Sequence, residues 1–206
     1  MKLLSIIIAI GFCFVAAKAE AQYYFEGNVG VSILRDADVD SEGSPFRQRF
    51  DDGVVVTAAL GYSFGAYRFE GEVSYRKNDS VEVEDMSDGT VQVVDGDFSA
   101  RSIMGNAWRD FQINPNWGVS LGGGLGLASM NNVVTSVGNT ITNGDFSENV
   151  FAYQAGGGLS YEWIPETKLT FQYRLFGTEQ VDFTGDGGDK YDYLSHSLML
   201  GIRRNF

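Results

Sequence analysis

His196 stands between Ser195 and Ser197, so a general base and two hydroxyl nucleophiles are adjacent in the chain. The segment around them alternates apolar and polar residues, however, and successive side chains of a strand point to opposite faces. The imidazole therefore cannot readily take a proton from either serine. His196 is also the only histidine, and no acidic residue follows to orient it. No enzyme is expected. A second candidate is the pair Glu70 and Glu72, which two strand rises would hold about 6.5 to 7 Å apart, a spacing also used by glycosidase acids. Arg68, Arg76, Arg174 and Arg203 fall on the same kind of inward position, and buried carboxylates need such partners. Arg68, Glu70, Glu72, Arg76, Arg174 and Arg203 are therefore read as an interior charge cluster. Gly122-Gly-Gly124 and Gly156-Gly-Gly158 lie within alternating segments and open no helix, which suits close packing and curvature rather than a phosphate cradle. Asp36-x-Asp38-x-Asp40 has the spacing that begins a calcium loop. Ser41 stands where that loop needs glycine and Arg47 where it needs glutamate, so no metal site or cofactor is expected.

The positions of these groups follow from the segments that carry them. Met1-Lys2, the apolar stretch Leu3 to Val15 and the small-x-small triplet Ala19-Glu20-Ala21 read as a signal peptide over residues 1–21, leaving 22–206 as one domain. The apolar stretch is too short for a spanning helix, which takes about 20 residues. The one cysteine, Cys13, falls inside the leader, which excludes disulfides and thiolate chemistry from the mature chain. Loss of Lys2, Lys18 and Glu20 moves the formal charge from -12 to -13, as 13 basic residues then face 26 acidic ones. Such acidity excludes a nucleic-acid partner, which calls for a basic footprint.

Alternation runs through the whole mature chain. Tyr23, Phe25, Val29, Val31 and Ile33 share one parity while Glu26, Asn28 and Ser32 take the other. The same pattern holds in Val54 to Phe64, Tyr67 to Tyr75, Ala100 to Phe111, Trp117 to Leu127, Phe151 to Trp163, Leu169 to Phe176 and Leu194 to Phe206. Short turns follow the second, fourth and sixth segments. Long connections run through Arg35 to Phe50, Lys77 to Asp97, Ser129 to Glu148 and Gly177 to Tyr191. With no 18-residue apolar run beyond the leader, the only membrane-spanning solution is a closed barrel. The chain is accordingly predicted to be all-β, an eight-stranded antiparallel up-and-down transmembrane β-barrel with short periplasmic turns and long external loops. Arg101 and Arg109 fall on the outer parity, where long basic side chains would snorkel at the two interfaces. Tyr23, Phe25, Tyr62, Phe64, Tyr67, Phe69, Phe111, Trp117, Tyr161, Trp163 and Phe206 are expected to form one aromatic girdle, and Tyr75, Phe151 and Tyr153 to lie toward the other boundary.

The segments Tyr67-Arg-Phe-Glu-Gly-Glu-Val-Ser-Tyr75, Trp117-Gly-Val-Ser-Leu-Gly-Gly-Gly-Leu-Gly126, Tyr153-Gln-Ala-Gly-Gly-Gly-Leu-Ser-Tyr161, Phe171-Gln-Tyr-Arg174 and His196-Ser-Leu-Met-Leu-Gly-Ile-Arg203, taken in order, resemble the opacity-type and OmpA-like eight-stranded outer-membrane barrel family. The resemblance covers essentially all of the mature chain. It implies location in the cell outer membrane after export through the periplasm, surroundings of outer-membrane lipid and lipopolysaccharide, and recognition of Phe206 by the barrel-assembly machinery. Arg204 departs from the apolar residue expected two places before that terminal aromatic. An eight-stranded interior is only wide enough for side chains, so function is assigned to the loops. Acidic residues crowd these loops: Asp36, Asp38, Asp40 and Glu42 in the first, Asp79, Glu82, Glu84, Asp85, Asp88, Asp95 and Asp97 in the second, Glu179, Asp182, Asp186 and Asp189 in the fourth. The reading is a structural and adhesin-like surface protein whose loops meet a host or surface ligand. The alternative is a weak small-solute or ion channel through the charge-lined lumen.

Overall fold

The computed structural model describes residues 22–34, 37–41, 44–85, 91–137, 140–182, 190–191 and 193–206. The expected leader, and Asp36 of the calcium-like triplet, lie outside the described residues. The strands are β1 (Gln22–Leu34), β2 (Ala37–Ser41), β3 (Ser44–Phe50), β4 (Gly53–Phe64), β5 (Tyr67–Asp85), β6 (Val91–Gln112), β7 (Trp117–Val137), β8 (Thr140–Ile164), β9 (Thr167–Thr178), β10 (Val181–Asp182), β11 (Lys190–Tyr191) and β12 (Leu194–Asn205). The described residues hold no helix.

Eight of these strands close on themselves in the order β1, β4, β5, β6, β7, β8, β9, β12, every pair antiparallel. Closure is made by β1 and β12, with Tyr24 opposite Asn205, and the Phe206 amide donates to the Tyr23 carbonyl at 2.9 Å. Closure leaves no edge of unpaired amides in lipid. The two-residue turn between β4 and β5 places Gly65 at φ 59°, a conformation glycine adopts without steric cost.

Along each strand the two faces are inverted relative to a soluble protein. Val29, Leu60, Ile103, Leu121 and Leu200 point outward and are exposed, whereas Glu26, Glu72, Arg76 and Arg174 point inward with at most 1% of their surface accessible. Such an apolar outer band is tolerated in lipid and not in water. Rings gather at the turn end, where Tyr23 meets Tyr62 at 5.2 Å and Phe206 at 6.5 Å, and Trp117 meets Tyr161 at 4.9 Å. The outward Arg109 lies over Phe111 (4.9 Å) and Tyr67 (5.6 Å), and Arg101 lies 5.9 Å from Tyr75. Both arginines thus sit among aromatic rings near the two ends of the band.

Three of the expected long loops are largely strand, the first of them, Arg35 to Phe50, holding β2 and β3. The sheet continues through β5 to Asp85, resumes in β6 at Val91, and runs through β7 to Val137 and back from Thr140 in β8. β5 to β8 are therefore 19 to 25 residues long, whereas β1, β4, β9 and β12 have 12 or 13. Backbone amides still pair outside lipid, but alternation is no longer enforced where both faces are wet, so the sequence pattern stops before the strands do.

Inside, large side chains lie beside glycines. Trp108, Asn106 and Met104 on β6 are register partners of Gly122, Gly124 and Gly126 on β7. Arg174 and Gln172 on β9 face Gly156 and Gly158 on β8, and Tyr24 and Asn28 on β1 face Gly61 on β4 and Gly201 on β12. A Cβ at Gly122 would lie 2.2 Å from the Ala107 carbonyl oxygen and 2.6 Å from the Trp108 ring. Gly122→Leu is expected to overpack the lumen by about 1–3 kcal/mol or more, seen as a lower urea midpoint for folding into lipid vesicles. An unchanged midpoint would refute this steric account.

Candidate functional site

The lumen has two layers. Toward the turn end, inward side chains of β1, β5, β6, β8, β9 and β12 form one hydrogen-bonded network. Glu70 accepts from Tyr24 Oη (2.5 Å) on one carboxylate oxygen and from Trp108 Nε1 (2.7 Å) and Asn106 Nδ2 (3.0 Å) on the other. Glu72 accepts from Arg174 Nη1, from Gln154 Nε2 at 3.2 Å and from Asn106 Nδ2 at 3.4 Å. Glu26 accepts from Arg203 Nε at 2.7 Å and from Gln172 Nε2. Gln172 in turn accepts from Arg174 Nε and Nη2 at 3.0 and 2.8 Å. Arg68 donates to Tyr24 Oη at 3.0 Å and to Asp110 Oδ2 at 2.8 Å, and lies 3.5 Å from Glu70 and 3.7 Å from Glu26.

Of the residues singled out from the sequence, Arg68, Glu70, Glu72, Arg174 and Arg203 are brought together here. Arg203 reaches Glu26 and, at 3.6 Å, Asp110 rather than Glu70 or Glu72. Arg76 differs. Among the described residues no salt bridge reaches it; its Nη1 donates to Ser74 and its guanidinium stacks on Phe176. Glu26, Tyr24, Trp108, Gln154 and Gln172 were not in the predicted cluster, although all sit on inward parity. Parity marks a face but does not say which side chains meet across the lumen.

The second layer departs from the expectation of a polar inner face. Toward the loop end, Leu34, Phe98, Ala100, Met104, Ala128, Met130, Val150, Ala152, Phe176 and Tyr193 form a buried apolar cluster. Phe98 stacks on Tyr193 at 5.4 Å and Tyr193 meets Phe176 edge-on at 5.8 Å. This plug and the network beneath it fill the interior with side chains, as an eight-stranded barrel requires.

The other chemical candidates are placed plainly. His196 is on the outer face, its Nδ1 2.7 Å from Tyr173 Oη, while Ser195 and Ser197 are wholly buried on the inner face. Glu70 and Glu72 are buried and saturated by donors, which leaves neither carboxylate free for acid and base work. Arg204, on the outer face, donates to the Pro165 carbonyl at 3.1 Å and Thr167 Oγ1 at 2.6 Å and lies 3.5 Å from Glu166. Its departure from apolar character is thus met by the adjoining turn. Asp38 and Asp40 lie on β2.

An antiparallel eight-stranded closure, apolar outside, charged within and ringed by aromatics, defines a transmembrane β-barrel. The chain matches the outer membrane protein beta-barrel domain over residues 5–205 and belongs to that family. Similar solved structures include Neisserial surface protein A from Neisseria, at 20% identity over 91% of this chain and 100% of that one, with a TM-score of 0.59. A major outer membrane protein from Thermus thermophilus has 14% identity over 91% and 100%, TM-score 0.61. The outer membrane protease OmpT from Escherichia coli has 9% identity over 94% and 99%, TM-score 0.60. At these identities the likeness is one of fold. No curated protein matches the chain in sequence. The protein is an outer-membrane β-barrel protein.

Proposed function

We propose that the protein acts as a structural, adhesin-like surface protein, its short turns toward the periplasm, and that its external hairpins and loops are the binding surface. The observation that carries this reading is the continuation of β5 to β8 beyond the membrane band above a packed lumen. From Leu127, at the upper edge of the band, β7 runs ten further residues to Val137. At about 3.4 Å per residue and about 45° tilt, that tip stands roughly 24 Å higher. A paired hairpin is a stiff support, and the second loop, carried by the neighbouring pair β5 and β6, is rich in carboxylates, which favours cationic groups on a host or surface ligand. Divalent cations shared with lipopolysaccharide phosphates are a second fit for the same charge. Export would proceed through the periplasm after loss of residues 1–21, with Phe206 as the mark read by the barrel-assembly machinery.

Exchange of all four external connections for short turns is expected to abolish binding to host cells while the heat-dependent gel shift of the folded barrel persists. Binding that survives all four exchanges would sink the proposal. The filled lumen counts against the channel alternative, because ions would have to cross both a packed, hydrogen-bonded polar network and an apolar plug. Planar bilayers holding the folded protein are expected to stay silent. Single-channel steps that change on substitution of Arg68, Glu70 or Arg174 would establish conduction instead.

A further inference from the structure

The outward residues of β5 to β8 fall into rows across the sheet, and the rows change character sharply toward the loop end. Val73, Ile103, Leu127 and Phe151 are successive register partners in one row, and the next row up reads Tyr75, Arg101, Ser129 and Asn149. Below Ile103 the side chains shrink: Gly71 is the register partner of Gly105, and Ala107 that of Gly123. A Cβ at Gly71 would meet nothing within 4 Å, and one at Gly105 only the Leu125 carbonyl oxygen at 3.9 Å, so the packing of the barrel requires neither glycine. The result is an apolar trough on the lipid side. Its upper part, a depression of about 1030 Å³, is lined by Val73, Ile103, Gly105, Leu125 and Leu127 with Arg101 at its head, and Gly105 and Leu125 also line the depression below it. Among the described residues no salt bridge reaches Arg101, whose guanidinium lies 5.9 Å from the Tyr75 ring. Lys77, in the row above, is already engaged by Asp97 at 3.4 Å and Asp79 at 3.9 Å. From Arg101 down β6 to Ala107 the trough descends roughly 14 Å at about 3.4 Å per residue and about 45° tilt, about half of an apolar band about 25 Å tall.

We propose that this trough holds one acyl chain of a lipopolysaccharide molecule, with a phosphate of its lipid A on Arg101. An outward cation that no carboxylate matches, set where the wall turns from apolar to polar, calls for an anion that is itself anchored in lipid. A guanidinium can take two phosphate oxygens at once, and Ser129 and Asn149 add a hydroxyl and an amide to the same row. A trough one leaflet deep fits an acyl chain and ends near the midplane. A zwitterionic phospholipid offers the same chain but brings an ammonium toward the arginine, so a phosphorylated sugar headgroup is favoured. This occupant rests on the loops facing outward, as proposed above, because lipopolysaccharide lies in the outer leaflet.

The test uses the full-length mature protein refolded in detergent micelles, and native mass spectrometry of what it retains when offered lipid A, phosphatidylglycerol or phosphatidylcholine. Lipid A is expected to be retained in preference to either phospholipid. Arg101→Gln is expected to lower that retention about ten-fold, the effect of losing a hydrogen bond to a charged group. Gly71→Leu/Gly105→Leu should lower it as well by filling the trough, with the heat-dependent gel shift intact, and carries the comparison if the arginine variant does not fold. Arg109→Gln, at the turn end of the same strand, should leave retention unchanged. Undiminished retention in either folded trough variant, or either phospholipid retained as well as lipid A, would overturn the site. Micelles have no sides, so this result does not depend on orientation. Protease added to intact cells is expected to cut the connection between β5 and β6, and its failure to do so would overturn the outward placement of the loops and, with it, lipopolysaccharide as the occupant.

Discussion

Replacing Arg174 by methionine is expected to destabilise the folded barrel by about 3–5 kcal/mol, the usual cost of leaving one charge of a buried pair without its partner. The guanidinium touches Glu72 and, through two nitrogens, Gln172, so its loss strips Glu72 of its only ionic partner among the described residues and Gln172 of its anchoring donors. Removing both charges has a different sign of consequence. Glu72→Leu/Arg174→Met is expected to recover most of the loss, because the desolvation of two ions disappears along with their attraction. Urea titration of folding into lipid vesicles measures both. A double variant as unstable as the single one would mean that hydrogen bonding from Asn106 and Gln154, not charge balance, holds this layer.

The second large effect is on the lipid side. Leu200 points outward midway along β12 and is 65% exposed. Leu200→Arg is expected to cost about 2–4 kcal/mol, the depth-dependent penalty for a basic side chain near the bilayer midplane. Arg204 is two outward positions nearer the turn end of the same strand, and it is already an arginine with a carbonyl, a hydroxyl and Glu166 around it. Arg204→Leu is expected to change stability by no more than about 1 kcal/mol. Equal costs for the two substitutions, measured by the same vesicle titration, would contradict the placement of the membrane band.

The eight barrel strands were legible because lipid and lumen impose opposite demands on alternate residues, and each of the eight alternating segments lies on one strand. What lay beyond the band was less legible. β5 runs on through Val81, Val83 and Asp85, where no lipid sorts the two faces, and the same chemistry was therefore read as loop. The interior was legible as a face and not as a set of contacts. Trp108 and Tyr24 occupy inward parity, but an aromatic there looks like an interruption of the polar pattern unless its partner is known. The partner in both cases is Glu70, reached by an indole N–H and a phenol O–H. Arg76 shows the converse: its parity matches that of Arg174, yet one meets a carboxylate and the other a phenyl ring.

The glycines beside the lumen side chains impose a bookkeeping of volume on how this chain can change over time. An outward position is free to drift among apolar residues of many sizes, since fluid lipid conforms to whatever it meets. An inward position is not independent: enlarging Gly124 demands a smaller residue at Asn106, and shrinking Arg174 leaves Gly156 facing a gap. Substitutions inside should therefore arrive as compensating couples across adjacent strands. Barrels of this shape can diverge almost completely on their outer surface while their interiors remain a set of matched large and small partners.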